Sequence, residues 1–165
     1  MFVLGVDPGV SRCGYGCVES SPGQTEARAV GVLTTPPSQP LPERLAALDA
    51  DFRGLLADLC PDVVAVERLF FQTNVRTAMS VGQASGLVLA AAARAGCVVA
   101  QYTPNQVKQA VVGYGAATKE QVQRMVQSLL GLADVPRPPD AADALALALC
   151  HVAMAPLQAR LDAVQ

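Results

Sequence analysis

Val3-Leu4-Gly5-Val6-Asp7-Pro8-Gly9 carries a carboxylate to the end of a buried strand and stops that strand at once. Phe2 to Val6 is an apolar run of the kind shown by a strand covered on both faces. Pro8 cannot extend a hydrogen-bonded ladder, and Gly9 permits a sharp turn. Asp7 therefore belongs at the mouth of a sheet. Asp before Pro-Gly is also an ordinary turn former, and the heptapeptide alone does not choose between the two roles. Two further apolar segments carry carboxylates at their ends: Asp62 to Glu67, and the helix that begins Asp140-Ala141-Ala142-Asp143.

The chain of 165 residues is the size of one domain, and its 52% hydrophobic content supplies a substantial core. The expected division is a single domain over 1–155 and a flexible C-terminal tail over 156–165. No signal pattern is present, and the apolar stretch Val81 to Ala93 is too short and too interrupted to span a bilayer. A cytoplasmic protein without membrane contact is expected. The 5 cysteines (Cys13, Cys17, Cys60, Cys97, Cys150) contain no Cys-x-x-Cys pair and read as reduced packing residues. The net charge of -2 is unevenly distributed. Between Arg68 and Lys119 there is no Asp or Glu, yet the span holds Arg68, Arg76, Arg94 and the only two lysines of the chain, Lys108 and Lys119. Such a basic stretch can bind phosphates within an acidic protein.

Along the chain, Gly14 to Glu19 and Ala27 to Leu33 read as strands joined by Ser20-Ser21-Pro22-Gly23, which makes the start a three-stranded meander. Leu45, Leu48, Phe52, Leu55, Leu56 and Leu59 keep helical spacing after a proline-rich loop, and Cys60-Pro61 ends that helix. Asp62 to Glu67 is a second buried strand. Val75 to Ala95 predicts a long helix whose Gly82, Ser85, Gly86 and Ala90 make a small-residue face, suited to close packing on the sheet or to a subunit interface. Cys97 to Tyr102 is a strand, Pro104 to Val112 a helix, and Thr118-Lys119-Glu120-Gln121 carries the N-cap and third-position Gln of another helix ending near Gly131. The last helix is expected from about Asp140 through His151. The order βββαβαβααα predicts an α/β fold, a mixed five-stranded sheet flanked by helices.

Asp140 also fits a plain N-cap, but a cap does not explain Asp143 three residues on, in a helix otherwise apolar. Asp7, Glu67, Asp140 and Asp143 are four carboxylates on apolar elements, and gathering them requires a counter-ion. Oxygen-only ligands select hard cations such as Mg²⁺ or Mn²⁺. Two such ions about 4 Å apart suit phosphodiester hydrolysis. Phe70 and Phe71, just after Glu67, suit either core packing or stacking on an unpaired base. His151 lies eight residues beyond Asp143, about 12 Å along a helix, too far to share its metal.

Gly5-Val6-Asp7-Pro8-Gly9, Val66-Glu67 followed by Phe70, Gly82-Gln83-Ala84-Ser85-Gly86, Thr103-Pro104 leading to Lys108, and Asp140-Ala141-Ala142-Asp143-Ala144-Leu145-Ala146 together resemble the bacterial RuvC family of Holliday-junction resolvases. The resemblance covers nearly the whole chain in order. It implies a ribonuclease H-like fold, a homodimer, and Mg²⁺-dependent symmetric nicking of four-way DNA junctions in recombination and repair, with two ions per site and Mn²⁺ as substitute. It places the four acidic ligands on Asp7, Glu67, Asp140 and Asp143 and two active-site lysines on Lys108 and Lys119. Some members carry His where this chain has Asp140, so the metal site here is expected to be all-carboxylate. DNA contacts are expected from Arg68, Phe70, Phe71, Asn74, Arg76, Lys108 and Lys119, and a branch-migration complex of the RuvA and RuvB type is an implied partner. A non-catalytic junction-binding module is the main alternative; loss of one acid would favour it, and all four are present. An actin-like ATPase would require a second phosphate loop and about twice the length.

Overall fold

The computed structural model describes residues 1–68 and 75–162, with side chains over 1–68 and 78–156. Five strands form one sheet: β1 (Phe2–Asp7), β2 (Arg12–Ser21), β3 (Gln24–Thr34), β4 (Val63–Glu67) and β5 (Val98–Tyr102), in the order β3-β2-β1-β4-β5. β1, β2 and β3 are the expected antiparallel meander, while β4 and β5 run parallel to β1. Helices α1 (Leu41–Leu59), α2 (Val75–Arg94), α3 (Pro104–Val112), α4 (Lys119–Leu129) and α5 (Pro139–Asp162) complete the expected order.

Strand alternation divides the core into two layers. Leu4 and Val6 of β1 and Val64 and Val66 of β4 pack with Leu48, Phe52 and Leu56 of α1 and with Ala84, Val88, Ala91 and Ala92 of α2. Val3, Val63 and Ala65 face the opposite way, onto Val107 and Val111, Val122 and Val126, and the Leu145 to Cys150 stretch of α3, α4 and α5. The apolar run Val3–Val6 is buried on both faces because helices cover both.

Local chemistry sets the ends of α3 and α4. Thr103 Oγ1 accepts from Gln106 N (3.2 Å) while Gln106 Oε1 accepts from Thr103 N (2.9 Å). Thr118 and Gln121 repeat that reciprocal pair at 3.3 and 2.8 Å. The second pair makes Lys119 the first residue of α4.

Three expectations need correction. α5 continues to Asp162 with Pro156 inside it, rather than stopping near His151. Leu157-Gln158-Ala159-Arg160-Leu161-Asp162 is rich in helix formers, and one proline removes only a single amide donor. Gly82 and Gly86 do not dock on the sheet, because a Cβ at either would meet open space; Ala84 and Val88 make the contact instead. Cys13, Cys17 and Cys150 are buried packing thiols, whereas Cys60 is exposed as the left-handed cap of α1 (φ 46°). Among the described residues, no helix is long and apolar enough to cross a membrane.

Candidate active site

Asp7 and Glu67 end neighbouring parallel strands. Val6 pairs with Val66, so each acid is the next residue after a matched pair, and alternation turns both toward the α3, α4 and α5 layer. The turn after Asp7 is fastened from outside the site: Thr35 Oγ1 donates to Val10 O (2.6 Å), and Arg44 donates through Nε to Thr35 Oγ1 (2.9 Å) and through Nη2 to Ser11 Oγ (2.5 Å).

α5 reaches this end of the sheet because three positions of the strands beneath it, Gly5, Gly14 and Gly16, lack side chains. A Cβ at Gly14 would overlap the Asp140 carbonyl, one at Gly5 the Ala144 carbonyl, and one at Gly16 the Leu145 side chain. The helix backbone rests directly on β1 and β2. Gly14 is the β2 partner of Asp7, so this seat sets the start of α5 beside Asp7, with Asp140 in the first turn and Asp143 just after it.

Asp7, Glu67, Lys108, Lys119 and Asp143 line one cleft of about 390 Å³, walled by Pro104, Val107, Val122, Ala146 and Leu147. Lys119 Nζ lies 2.6 Å from Asp143 Oδ2. Asp140 is not part of that lining. Its Oδ2 accepts from Arg12 Nε at 2.9 Å and lies 2.8 Å from Arg12 Nη2. Asp140 is thus not an isolated cap but an ion-paired residue of the first helical turn. Arg68 is exposed at the end of β4, its backbone N–H donating to Tyr102 O (2.7 Å). Phe70, Phe71 and Asn74 lie outside the described residues, as does the side chain of Arg76. His151 is occupied elsewhere, with Nδ1 2.7 Å from Tyr102 Oη, and burial holds its pKa below the usual imidazole value.

The electrostatics are those of crowded acids. Burial, then the charges of Glu67, Asp143 and Asp140, push the Asp7 carboxyl up to about 7, with Lys119 pulling the other way. Burial and Asp143 also raise Glu67. The bond to Asp143 raises Lys119. Two like charges 4 Å apart repel by about 4 kcal/mol at an effective dielectric constant of 20. Two lateral ion pairs relieve only part of that, so the centre of the cluster calls for more positive charge.

Among the described residues, no three acids, imidazoles or thiols meet at one metal-ligand point; Asp140 and Asp143 are paired with Arg12 and Lys119. The donor set nevertheless fits a hard divalent cation: it offers carboxylate oxygens alone, and burial together with the acidic neighbours raises Asp7, at its centre, so that added positive charge there is favoured. The sequence reading missed Arg12 and the seat formed by Gly5, Gly14 and Gly16. Glycine recurring inside otherwise apolar strands was the available signal for the seat.

A mixed sheet with two carboxylates at adjacent strand ends, and a helix bringing two more, defines the class as a ribonuclease H-like nuclease fold. The family described as "Crossover junction endodeoxyribonuclease RuvC" matches residues 3–151. The RuvC of Moorella thermoacetica is 53% identical over 160 residues, 97% of this chain and 96% of that one. The Thermus thermophilus RuvC structure superposes with a TM-score of 0.87 at 42% identity, covering 96% and 97% of the two chains. The same protein in complex with a Holliday junction substrate gives 0.86 at 39% identity, covering 95% and 96%. This chain belongs to the RuvC family of crossover junction endodeoxyribonucleases.

Proposed function

We propose that the chain is a Holliday-junction resolvase that works as a homodimer, introducing paired symmetric nicks into four-way DNA junctions during recombination and repair. The observation that carries this reading is the cleft that brings Asp7, Glu67 and Asp143 together with Lys108 and Lys119 in a member of a family one of whose structures holds a Holliday junction.

Asp7, Glu67, Asp140 and Asp143 are assigned as ligands of two Mg²⁺ ions, with Mn²⁺ as substitute. Bound there, the cations would polarise the scissile phosphate and lower the pKa of the attacking water. Water adds to phosphorus as the O3′ bond breaks, leaving a 5′-phosphate and a 3′-hydroxyl. Lys108 and Lys119 offset the charge that develops on the phosphate oxygens. Lys119 is suited to this because it already stands against Asp143 with part of its side chain in solvent.

Selectivity requires contacts beyond the carboxylates, since those act on any phosphodiester they reach. Phe70, or Phe71 beside it, is assigned to stack in an opening of the base stack. Arg68, Asn74 and Arg76 extend the phosphate contact along the same stretch. The open face of Gly82 and Gly86 supports α2 as part of the dimer contact. Residues 1–155 are read as one nuclease domain, acting in the cytoplasm and engaging a branch-migration complex of the RuvA and RuvB type.

The test incubates the protein with a synthetic four-way junction and with linear duplex, in Mg²⁺, Mn²⁺ or EDTA. Paired nicks are expected only in the junction and only with metal. Asp7→Asn should bind the junction as well as or better than wild type and cut neither substrate. Metal-independent cleavage, or equal cleavage of duplex, would refute the assignment.

A further inference from the structure

Arg12 is the first residue of β2 and is not among the residues that line the acidic cleft with Lys108 and Lys119. Two of its nitrogens, Nε at 2.9 Å and Nη2 at 2.8 Å, converge on one oxygen of Asp140, Oδ2. The same strand carries Gly14, against which the Asp140 main chain rests. β2 therefore holds Asp140 twice, by its backbone through Gly14 and by its carboxylate through Arg12.

We propose that Arg12 is a positioning residue for Asp140 and thereby sets the affinity of the acidic cleft for divalent cations. This inference rests on the reading of Asp140 as a metal ligand. A planar guanidinium that grips a single carboxylate oxygen fixes the rotation of the whole group and leaves the second oxygen, Oδ1, with its lone pairs for a hard cation. An unrestrained aspartate in the same place loses that rotational freedom only when metal binds, and the affinity falls accordingly. The Arg12 and Asp140 side chains are 49% and 30% exposed, so the pair is screened by solvent and contributes little to folding. Metal affinity and thermal stability should therefore respond differently to its loss, which separates positioning from a merely structural role.

The experiment titrates Mn²⁺ into the full chain without DNA, following heat of binding and the manganese resonance signal. Arg12→Gln is expected to weaken binding by about ten- to a hundred-fold, the range typical when a partner that orients a metal ligand is removed, with a nearly unchanged melting temperature. Arg12→Lys should recover part of the affinity, since an ammonium reaches the same oxygen with less directional control. In an Asp140→Asn background, Arg12→Gln should cause no further loss, because its effect passes through Asp140. Wild-type or tighter binding in Arg12→Gln, or an undiminished loss in the Asp140→Asn background, would overturn the role of Arg12. Unchanged Mn²⁺ binding in Asp140→Asn alone would instead overturn the assignment of Asp140 as a ligand, and the inference with it.

Discussion

Asp7 is pulled in two directions, toward neutrality by burial and by three acidic neighbours, and toward ionisation by Lys119 and by any cation that enters. Without metal, its proton is held more tightly in the folded chain (about 7) than in the unfolded one (3.8). The stability that this contributes is complete below the unfolded value and is lost as pH rises through the folded one. The difference between 3.8 and about 7 sets a ceiling of about 4 kcal/mol on the effect. In EDTA, the melting temperature of the wild type relative to Asp7→Asn should fall between about pH 4 and pH 8, and excess Mn²⁺ should remove that slope. Melting curves of both proteins across the range decide the matter; a relative rise with pH would contradict it. Legibility at this scale follows from chain position. Asp7, Glu67 and Asp143 stood out because each is joined to a short apolar segment, and Lys108 and Lys119 because they are the only lysines. Arg12 carried no such mark, since what matters about it is a partner 128 residues away.

At the scale of elements, the main dependence is of α5 on the glycines beneath it. A methyl group at Gly5 would overlap the Ala144 carbonyl, which lies in the helix backbone and cannot rotate aside. Gly5→Ala should therefore lift or shift α5, at a cost of about 1 to 3 kcal/mol. That corresponds to a fall of about 2 to 4 °C in melting temperature per kcal/mol for a chain of this size. It should also lower junction cleavage, because Asp140 and Asp143 move with the helix although the substitution touches neither. A thermal melt beside a cleavage assay is the check, and unchanged values in both would mean that α5 is not seated as described. Strand and helix order was readable throughout, since capping boxes and period-two runs are local signals. The extension of α5 past Pro156 was not, because a proline read by itself signals an end while the helix formers after it sustain the turn.

At the scale of the whole molecule, the described residues of one chain bring the four carboxylates to one end of the sheet, and paired nicks across a junction require two such sites. The protein should therefore sediment as a dimer, and a mixed dimer of wild type with Asp7→Asn should nick a single strand of each junction. Light scattering and denaturing gels of both strands report these outcomes; paired nicks from the mixed dimer, or full activity of a monomer, would exclude the arrangement.

The sequence by itself determined the element order, the mixed sheet and the carboxylates and lysines of the cleft, because apolar periodicity and the few charges interrupting it are local properties of a chain. Only the tertiary structure decided which face of the sheet the acids share, since that depends on the pairing of Val6 with Val66 and on which helices cover each side. It alone showed that Gly5, Gly14 and Gly16 form a seat, because the absence of a side chain has meaning only beside what fills the space. It alone also divided Asp140 and Asp143 of α5 between Arg12 and Lys119, contacts fixed by folding rather than by spacing along the chain.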